Sequence, residues 1–421
     1  MLRRLLLLFP LIFLCVGFVA HHVVGWRSEK ALHSVWEAWG EQLSRDLSPV
    51  LARQEADPEA LTVETLFAAA GLDLISSEAD RKRPSLEPIP EPPLADRLDQ
   101  YLATGNIERA LPPELAAWLD RRSEPLRALV VALATGPTPS WEWDPEPRPV
   151  PPRRLLDAQR RLEAEALLVL HSLRQRELGR ATEAEQALAA RAKLSGDLLR
   201  RPDSASRLAS ARSLRWLSRL ERCAPDLSVP SPESTPEQAL RWGRPAFEHE
   251  SWWLVHLGEL EDPFGALPKG SIQAGWKAKL GLKTARPLFR LAIVDSAQRL
   301  LDAESMVTAD ACTSMTELRE LLVEAPEWNL TVPSVRRALR AQEPAWSLSA
   351  ELALTSWVRR LRAGESLPAD GVLEGPCPEI RWQGEPTPDG GFVLEPEGEV
   401  LTTLVELGLP LRHVERPTTQ R

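Results

Sequence analysis

The amino terminus carries a long apolar run that constrains the fold and the location of this chain more than any other stretch. Arg3 and Arg4 precede an almost unbroken apolar segment, residues 5–20, which continues with few interruptions to Trp26. About 20 apolar residues span a bilayer core. Arginines before such a segment favour a cytoplasmic amino terminus and an exported remainder, and tryptophan suits the membrane interface. The sequence therefore predicts that residues 1–26 form an uncleaved, single-pass signal anchor in a cell inner membrane, with a periplasmic body.

Two other interpretations of the amino terminus stay open. A cleavable signal peptide has the same charged start and apolar centre, although Phe18 stands where the small-residue cleavage pattern is expected before Ala20. A pilin-like secretion component would be processed near Gly17, but His22 occupies the position where such pilins carry glutamate. We therefore expect the uncleaved anchor.

Charge and length limit the class of protein. The chain has 421 residues and a formal net charge of -9, which argues against a nucleic-acid partner, because such binders carry a basic domain. A hydrophobic fraction of 43% is typical of a folded protein. This length exceeds one compact core, so we expect several sub-domains or one elongated helical body.

Proline-rich breaks divide the chain into regions. The strongest break reads "GPTPSWEWDPEPRPVPP", in which prolines recur almost every second residue and predict a polyproline-type linker. Apolar residues at helical spacing flank it on both sides. The predicted regions are an anchor at 1–26, an N-terminal helical region at 27–135, the linker at 136–152, a helical domain at 153–363 and a small C-terminal region at 364–421.

The stretch after the linker predicts a helical hairpin. Apolar spacing marks two antiparallel helices joined around Gly179, and a third helix after Pro202. The segment "RELGRATEAEQALAA" is similar to a tetratricopeptide pair, with Ala184 as the small packing residue. Only one such unit is visible, whereas a solenoid needs about three repeats. We therefore expect a tetratricopeptide-like pair only locally.

The C-terminal part changes from helical to alternating patterns. Helices are predicted for "PLFRLAIVDSAQRLLDAES", "SVRRALRAQ" and "LSAELALTSWVRRLRAG". After Gly364, "EIRWQGE" and "GGFVLEPEG" alternate apolar and polar residues around residues 386–389, which predicts a β-hairpin. "EVLTTLVEL" could add a strand or a short helix. The predicted fold class is mainly α, built of helical hairpins, with a small C-terminal β-hairpin region and an N-terminal transmembrane helix.

Half of a zinc motif occurs in "FEHESWWLVHLGELE". A zinc hydrolase helix needs H-E-x-x-H, and His249 with Glu250 supplies only the first half, because Trp253 fills the second histidine position. His256 lies two helical turns from His249, about 10 Å along the axis, too far to share one ion. Glu259 could join His256, but two ligands do not make a site. We therefore predict no catalytic residue, no metal site, no cofactor and no enzymatic activity.

A basic cluster stands out in this acidic chain. The segment from residue 269 to 290 contains no acidic residue. It could contact an anionic surface such as headgroups, or it could be a solvated connection between helices. The residues of this possible anionic-surface patch are Lys269, Lys277, Lys279, Lys283, Arg286 and Arg290.

Three cysteines follow the predicted anchor: Cys223, Cys312 and Cys377. In an oxidising compartment they can form at most one intramolecular disulfide. The sequence leaves the pairing open, and small buried thiols are favoured over any particular bridge.

Four parts of the chain together resemble a group of uncharacterised, membrane-anchored, helix-rich envelope proteins of GC-rich bacteria. They are the anchor, the helix pair "LLVLHSLRQRELGRATEAEQALAARAKLSGDLL", the helix "RPLFRLAIVDSAQRLLDAES", and "ELALTSWVRRLRAGESLPADGVL" before the hairpin. The resemblance implies an architecture and no catalytic residues.

These observations predict a membrane-anchored, extracytoplasmic helical scaffold or protein-interaction protein of the bacterial cell envelope. Its expected partners are the membrane, through the N-terminal helix, and an envelope protein; the oligomeric state is left open. The first alternative is a metal-dependent envelope hydrolase that uses His249, Glu250, His256 or Glu259. The second is a pilin-like secretion component.

Overall fold

The fold is taken from a computed structural model. It describes residues 19, 22–34, 37, 62–72, 92–103, 110–139, 151–198, 204–229, 235–242, 244, 247–248, 250–251, 254, 276–312, 317–318, 320, 332–398 and 412–415. Only the backbone is described for residues 64, 151–158, 196–198, 204, 276–286, 288–289 and 332–341. The described residues are mainly helical and end in a small antiparallel sheet, as the sequence predicts.

The helices and strands follow one another in a simple order. Residues 22–34 are helical near the amino terminus. The further helices are α1 Val63–Ala69, α2 Leu94–Ala103, α3 Pro113–Arg121, α4 Ser123–Thr135, α5 Pro151–Glu177, α6 Ala181–Leu198, α7 Ser204–Cys223, α8 Pro236–Leu240, α9 Trp276–Ala309 and α10 Val332–Arg362. The strands are β1 Val372–Glu374, β2 Arg381–Pro386, β3 Phe392–Glu397 and β4 His413–Glu415.

The predicted helical hairpin is confirmed by α5 and α6. Gly179 has a φ of 72°, a left-handed conformation that glycine adopts without steric cost, so the chain can turn sharply there. The amide of Arg180 donates to the carbonyl of Gln175 at 2.9 Å, which closes α5 with a Schellman-type bond. Ser172 of α5 also donates to the carbonyl of Ala184 on α6 at 2.8 Å. Ala184 is fully buried, as expected of a small residue between packed helices.

Helices α1 to α4 pack against α5, α6 and α7 around one hydrophobic core. Fully or nearly fully buried leucines such as Leu98, Leu126 and Leu167 belong to the same cluster of buried residues. The described parts of the predicted N-terminal region and of the predicted helical domain therefore share their apolar interior. The domain limits themselves stay predictions, and residues 140–150 of the predicted linker lie outside the described residues.

Two helices run through prolines where the sequence predicts a helix start or a break. Helix α9 begins at Trp276 and passes through Pro287, and α10 passes through Pro344. A proline inside a helix removes one backbone hydrogen bond, which is why the sequence patterns suggest shorter helices. Pro287 is buried, and apolar contact offsets part of that loss.

The C-terminal sheet has four antiparallel strands in the order β1-β2-β3-β4. The predicted hairpin is confirmed as β2 and β3, with Gly384 opposite Leu394. Strands β1 and β4, which the sequence does not reveal, pair with its two sides. "EVLTTLVEL" lies outside the described residues.

Helix α10 connects the helical body to the sheet. Ala345, Leu348 and Leu352 belong to the large helical core. Trp346 and Leu354, on another side of α10, belong to a second buried cluster with the sheet. A helix that is apolar on several sides is a buried helix, so α10 lies inside the molecule and receives contacts from both parts.

None of the described helices is long and apolar enough to cross a membrane. The predicted anchor, residues 1–26, falls mostly outside the described part of the chain. Residues 1–18 and 20–21 are not described.

Candidate functional site: a buried ion cluster between helices

Helix α7 carries a line of arginines directed at its neighbours. Arg212, Arg215, Arg219 and Arg222 recur every three or four residues, so they share one side of the helix. Arg219 and Arg222 are 2% and 3% exposed. Buried guanidinium groups need counter-charges, since burying an isolated charge is costly. These counter-charges come from α10 and α2.

Glu351 of α10 supplies the central counter-charge. Its carboxylate is fully buried. Arg219 donates from Nε to Oε1 of Glu351 at 2.7 Å, and Arg222 donates from Nη2 to Oε2. Arg222 also donates from Nη1 to Oγ1 of Thr355 at 2.7 Å. We call Glu351, Thr355, Arg215, Arg219 and Arg222 the Glu351 cluster.

The electrostatics of the Glu351 cluster favour a permanently charged carboxylate. Burial raises the pKa of Glu351, but the charges of Arg219, Arg222 and Arg215 outweigh burial and lower this pKa to about 2. Burial also lowers the pKa of Arg215 to about 10. Glu351 and Arg215 therefore remain ionised near neutral pH.

A second set of ionic contacts joins α7 to α2. Arg212 donates from Nε to Oδ2 of Asp99 at 2.8 Å and from Nη2 to Oδ1 of Asp96 at 2.6 Å. The indole of Trp216, fully buried, donates to Oδ1 of Asp99 at 2.7 Å. Because Asp99 receives two donors from one helix, it fixes the position of α2 on α7.

A further ion pair, which is buried, lies between α5 and α6. Nη2 of Arg191 is 2.8 Å from Oε2 of Glu165, and both side chains are nearly completely buried. Ser195 donates to Glu165 at 3.1 Å, and Ser213 of α7 also donates to it. Burial lowers the pKa of Arg191. The pair is surrounded by hydroxyl donors and joins three helices.

Glu163 caps a helix that is distant in sequence. Its carboxylate accepts from the backbone amides of Leu94 at 2.7 Å and Ala95 at 3.4 Å, at the start of α2. The first amides of a helix have no partner within that helix, and a carboxylate there also suits the helix dipole. Burial raises the pKa of Glu163, and these backbone hydrogen bonds lower it in part.

This arrangement is suited to holding helices together. A general acid or base needs a pKa near the working pH and contact with the reacting group. Glu351 has a strongly lowered pKa, and both of its oxygens are occupied by arginines. The buried carboxylates Glu165 and Glu163 are likewise bound to arginine, hydroxyl or backbone donors. Their common role is to fix α2, α5, α6, α7 and α10 relative to one another.

A disulfide and an ion pair connect the sheet to the helical body. Cys312, after α9, forms a disulfide with Cys377, between β1 and β2. Arg362, at the end of α10, donates from Nη2 to Oε2 of Glu415 on β4 at 2.6 Å. The expectation that the cysteines are small buried free thiols is therefore wrong for Cys312 and Cys377. Among the cysteines that the structure describes, Cys223 is the free one, and burial raises the pKa of its thiol.

The residues of the half zinc motif are placed only in part. Glu250 is buried, and Ser251 donates to the carbonyl of Ala297 on α9 at 3.1 Å, so this stretch contacts α9. His249, His256 and Glu259 lie outside the described residues. Within the part of the chain that is described, no group of three or more histidine, cysteine, aspartate or glutamate residues could hold a metal ion.

The possible anionic-surface patch lies mainly on α9. Lys277, Lys279, Lys283 and Arg286 are in its first turns, where only the backbone is described. Arg290 is described, and its Nη1 is 4.0 Å from Oε1 of Glu29. Lys269 lies outside the described residues.

Sequence reasoning missed the Glu351 cluster, although a signal for it exists. Glu351 is the only charged residue between Trp346 and Val358. A single carboxylate inside an apolar helical stretch indicates burial with a partner.

No family model matches this chain, and neither a curated protein nor a solved structure is significantly similar to it.

Burial of His171 on α5 predicts a pH dependence of stability. Burial lowers the pKa of His171 from 6.5 to about 4, with Glu183 opposing and Arg127 adding to this shift. The unfolded chain therefore binds a proton at a higher pH than the folded chain, so stability is full above pH 6.5 and falls toward pH 4. Between about pH 7.5 and pH 5 this group alone should cost about 2 kcal/mol.

The measurement is urea unfolding of the wild type and of His171→Leu at both pH values. The variant should lose less stability on acidification than the wild type by that amount. An equal loss in both proteins would show that His171 does not titrate between these states.

Proposed function

We propose that the protein is a membrane-anchored scaffold or protein-interaction protein, with residues 1–26 as an uncleaved signal anchor and a periplasmic helical body. The observation that carries the proposal is the disulfide between Cys312 and Cys377. Disulfides persist in oxidising compartments. The arginines before the apolar run independently predict export of the remainder of the chain. Two unrelated features of the chain thus favour one location.

The interior of the body supports a role in protein contacts. Its buried carboxylates are used to join helices, as Glu351, Glu165 and Glu163 illustrate. Such internal cross-links suit a body that presents fixed surfaces to a partner, which would be another envelope protein. The resemblance to membrane-anchored envelope proteins is in keeping with the anchored, helix-rich architecture of this proposal.

Topology provides the direct test. The full chain is produced in a Gram-negative bacterium, and an external protease is added to spheroplasts. We expect digestion of the body, and we expect Cys312 and Cys377 to resist alkylation until they are reduced. The matched control is Arg3→Glu/Arg4→Glu, which should reduce export because positive charge retains the amino terminus inside. A protected body with both thiols free would contradict the proposed location.

Each of the three functions considered for this chain predicts a different experimental result. Cross-linking in intact membranes should yield a defined adduct with another envelope protein. A stoichiometric metal in the purified protein, lost in His256→Ala, would instead support a metal-dependent hydrolase. A mature amino terminus produced by processing at Gly17 would support a pilin-like component, whereas an intact segment from Met1 supports the anchor.

A further inference from the structure

Arg215 differs from the other arginines in its line on α7, because no carboxylate is paired with it. Arg212 binds two aspartates of α2. Arg219 and Arg222 share the carboxylate of Glu351. Within the described part of the chain Arg215 forms no ion pair, and its Nε atom is buried without a hydrogen-bond partner. The four arginines thus face three carboxylates, which leaves one positive charge in excess.

Two further donors without a partner lie close to Arg215 on the same helix. The hydroxyl of Ser218 and Nη2 of Arg219 are buried, and neither forms a hydrogen bond to the described residues. Ser218 is fully buried, and Arg219 is almost so. Positions 215, 218 and 219 are three and four residues apart, so they lie on one side of α7. We call these three donors the Arg215 site.

The Arg215 site lies between α7 and α10. The backbone carbonyl of Ser218 accepts from Oγ1 of Thr355 on α10 at 3.3 Å. Arg219 donates to Glu351 on the same helix at 2.7 Å. Arg215 itself is only partly buried. Because part of its side chain is exposed, a small ligand can reach this side of the site from water.

The electrostatics of the Arg215 site favour an added negative charge. Burial and the nearby charge of Arg219 lower the pKa of Arg215 to about 10, which means that its surroundings disfavour its positive form. The guanidinium nevertheless stays protonated at neutral pH. A buried donor without a partner costs free energy, and in native structures such a donor indicates bound water or a bound ion. An anion would supply both the missing acceptor and the missing charge.

We propose that Arg215, Ser218 and Arg219 bind one carboxylate between α7 and α10. A carboxylate carries the single negative charge that the excess requires, and its two oxygens can accept several hydrogen bonds. The planar guanidinium matches its shape. A phosphate would bring about two charges and would be repelled by Glu351 close by. The carboxylate belongs either to a small free acid or to a side chain of a protein partner, and the site requires neither the anchor nor the exported location.

The test measures binding of acetate to the full chain in dodecyl maltoside, an uncharged detergent. Saturation-transfer NMR detects bound acetate through its methyl protons, and sodium fluoride keeps the ionic strength constant. We expect saturable binding to the wild type and a signal at least several-fold weaker in Arg215→Gln. The matched control is Arg381→Gln, which removes an exposed arginine and should bind acetate like the wild type. Absence of binding to the wild type, or equal binding to Arg215→Gln, would overturn the site.

Two further measurements separate loss of the site from loss of the fold. Arg215→Gln removes a charge that has no partner, so without acetate it should unfold at the same urea concentration as the wild type or at a higher one. Ser218→Ala keeps every charge and removes one donor, and it should weaken acetate binding several-fold. Unchanged affinity in Ser218→Ala, even where Arg215→Gln is unstable, would contradict the proposed set of donors.

Competition identifies the anion and its source. Chloride or sulfate that displaces acetate at an equal or lower concentration would overturn the carboxylate assignment. The peptide probe is Gly-Glu-Gly with both ends blocked, and Gly-Gln-Gly is its uncharged control. Displacement of acetate by the first peptide alone would indicate a carboxylate side chain of a partner. Acetate binding that neither peptide disturbs would support a small free acid.

Discussion

Glu351→Gln is expected to lower the free energy of unfolding of the body by about 3–5 kcal/mol, because it removes one side of a buried ion pair. Arg219 and Arg222 would keep their positive charges in a buried environment without the carboxylate that both now bind. Glutamine has a similar size, so the loss reflects charge and hydrogen bonding more than packing. The measurement is urea unfolding of the full chain in detergent, followed by far-UV circular dichroism.

The matched control is Glu365→Gln. Glu365 also binds an arginine, Arg360, but this pair lies at the surface. Exposed ion pairs gain little because water screens them, so the control should unfold like the wild type. If both variants lost the same stability, the burial of the Glu351 cluster would not be the cause.

A second comparison measures how much stability is lost when a buried charge is left without its partner. The double variant Glu351→Leu/Arg219→Leu removes a carboxylate and one of its two guanidinium partners together. Replacing both members of a buried pair by apolar groups is often nearly neutral, whereas removing one member is not. The double variant should therefore be more stable than Glu351→Leu alone. A double variant as unstable as the sum of its single changes would contradict coupling between the two residues.

Local sequence patterns were sufficient to predict the helical turn at Gly179 and the β-hairpin, because neighbouring residues determine both. Gly179 ends α5 because a left-handed turn favours glycine, and the alternation in "EIRWQGE" and "GGFVLEPEG" specifies the hairpin of β2 and β3. The strands β1 and β4 have three residues each. Such short strands carry almost no periodic signal, and they form because the hairpin offers two open edges.

The helices α9 and α10 show where local rules fail. A proline inside a helix costs about 3 kcal/mol relative to alanine, so a break at Pro287 and Pro344 is the local expectation. In the folded chain α10 is buried between the helical core and the sheet, and burial of its many apolar residues exceeds that local cost. The decisive contacts come from distant parts of the chain.

The ion clusters could not be predicted from the sequence either, because their contacts also join distant parts of the chain. The arginine spacing on α7 is also that of an ordinary solvated helix face. Arg219 becomes buried only because Glu351, 132 residues later, packs against it. The pattern around Glu351 indicates burial, but it does not identify which of the many arginines is the partner.

Removing the disulfide in Cys312→Ser/Cys377→Ser is expected to lower the free energy of unfolding by about 4 kcal/mol in the chain-entropy description of a cross-link. The two cysteines are 65 residues apart, so the cross-link strongly restricts the unfolded chain. The disulfide also ties the turn after α9 to the loop between β1 and β2, and the sheet should open first in the variant. Urea unfolding measures the stability, and hydrogen exchange of Trp382 in β2 reports on the sheet.

The free thiol supplies the control, because Cys223→Ser changes a cysteine without breaking a bond. It should retain most of the stability that the double variant loses. Adding a reductant should lower the stability of the wild type and of Cys223→Ser to that of the double variant, which should itself be unaffected. A wild type that unfolds identically with and without reductant would show that the bond does not form, and it would remove the observation on which the exported location depends.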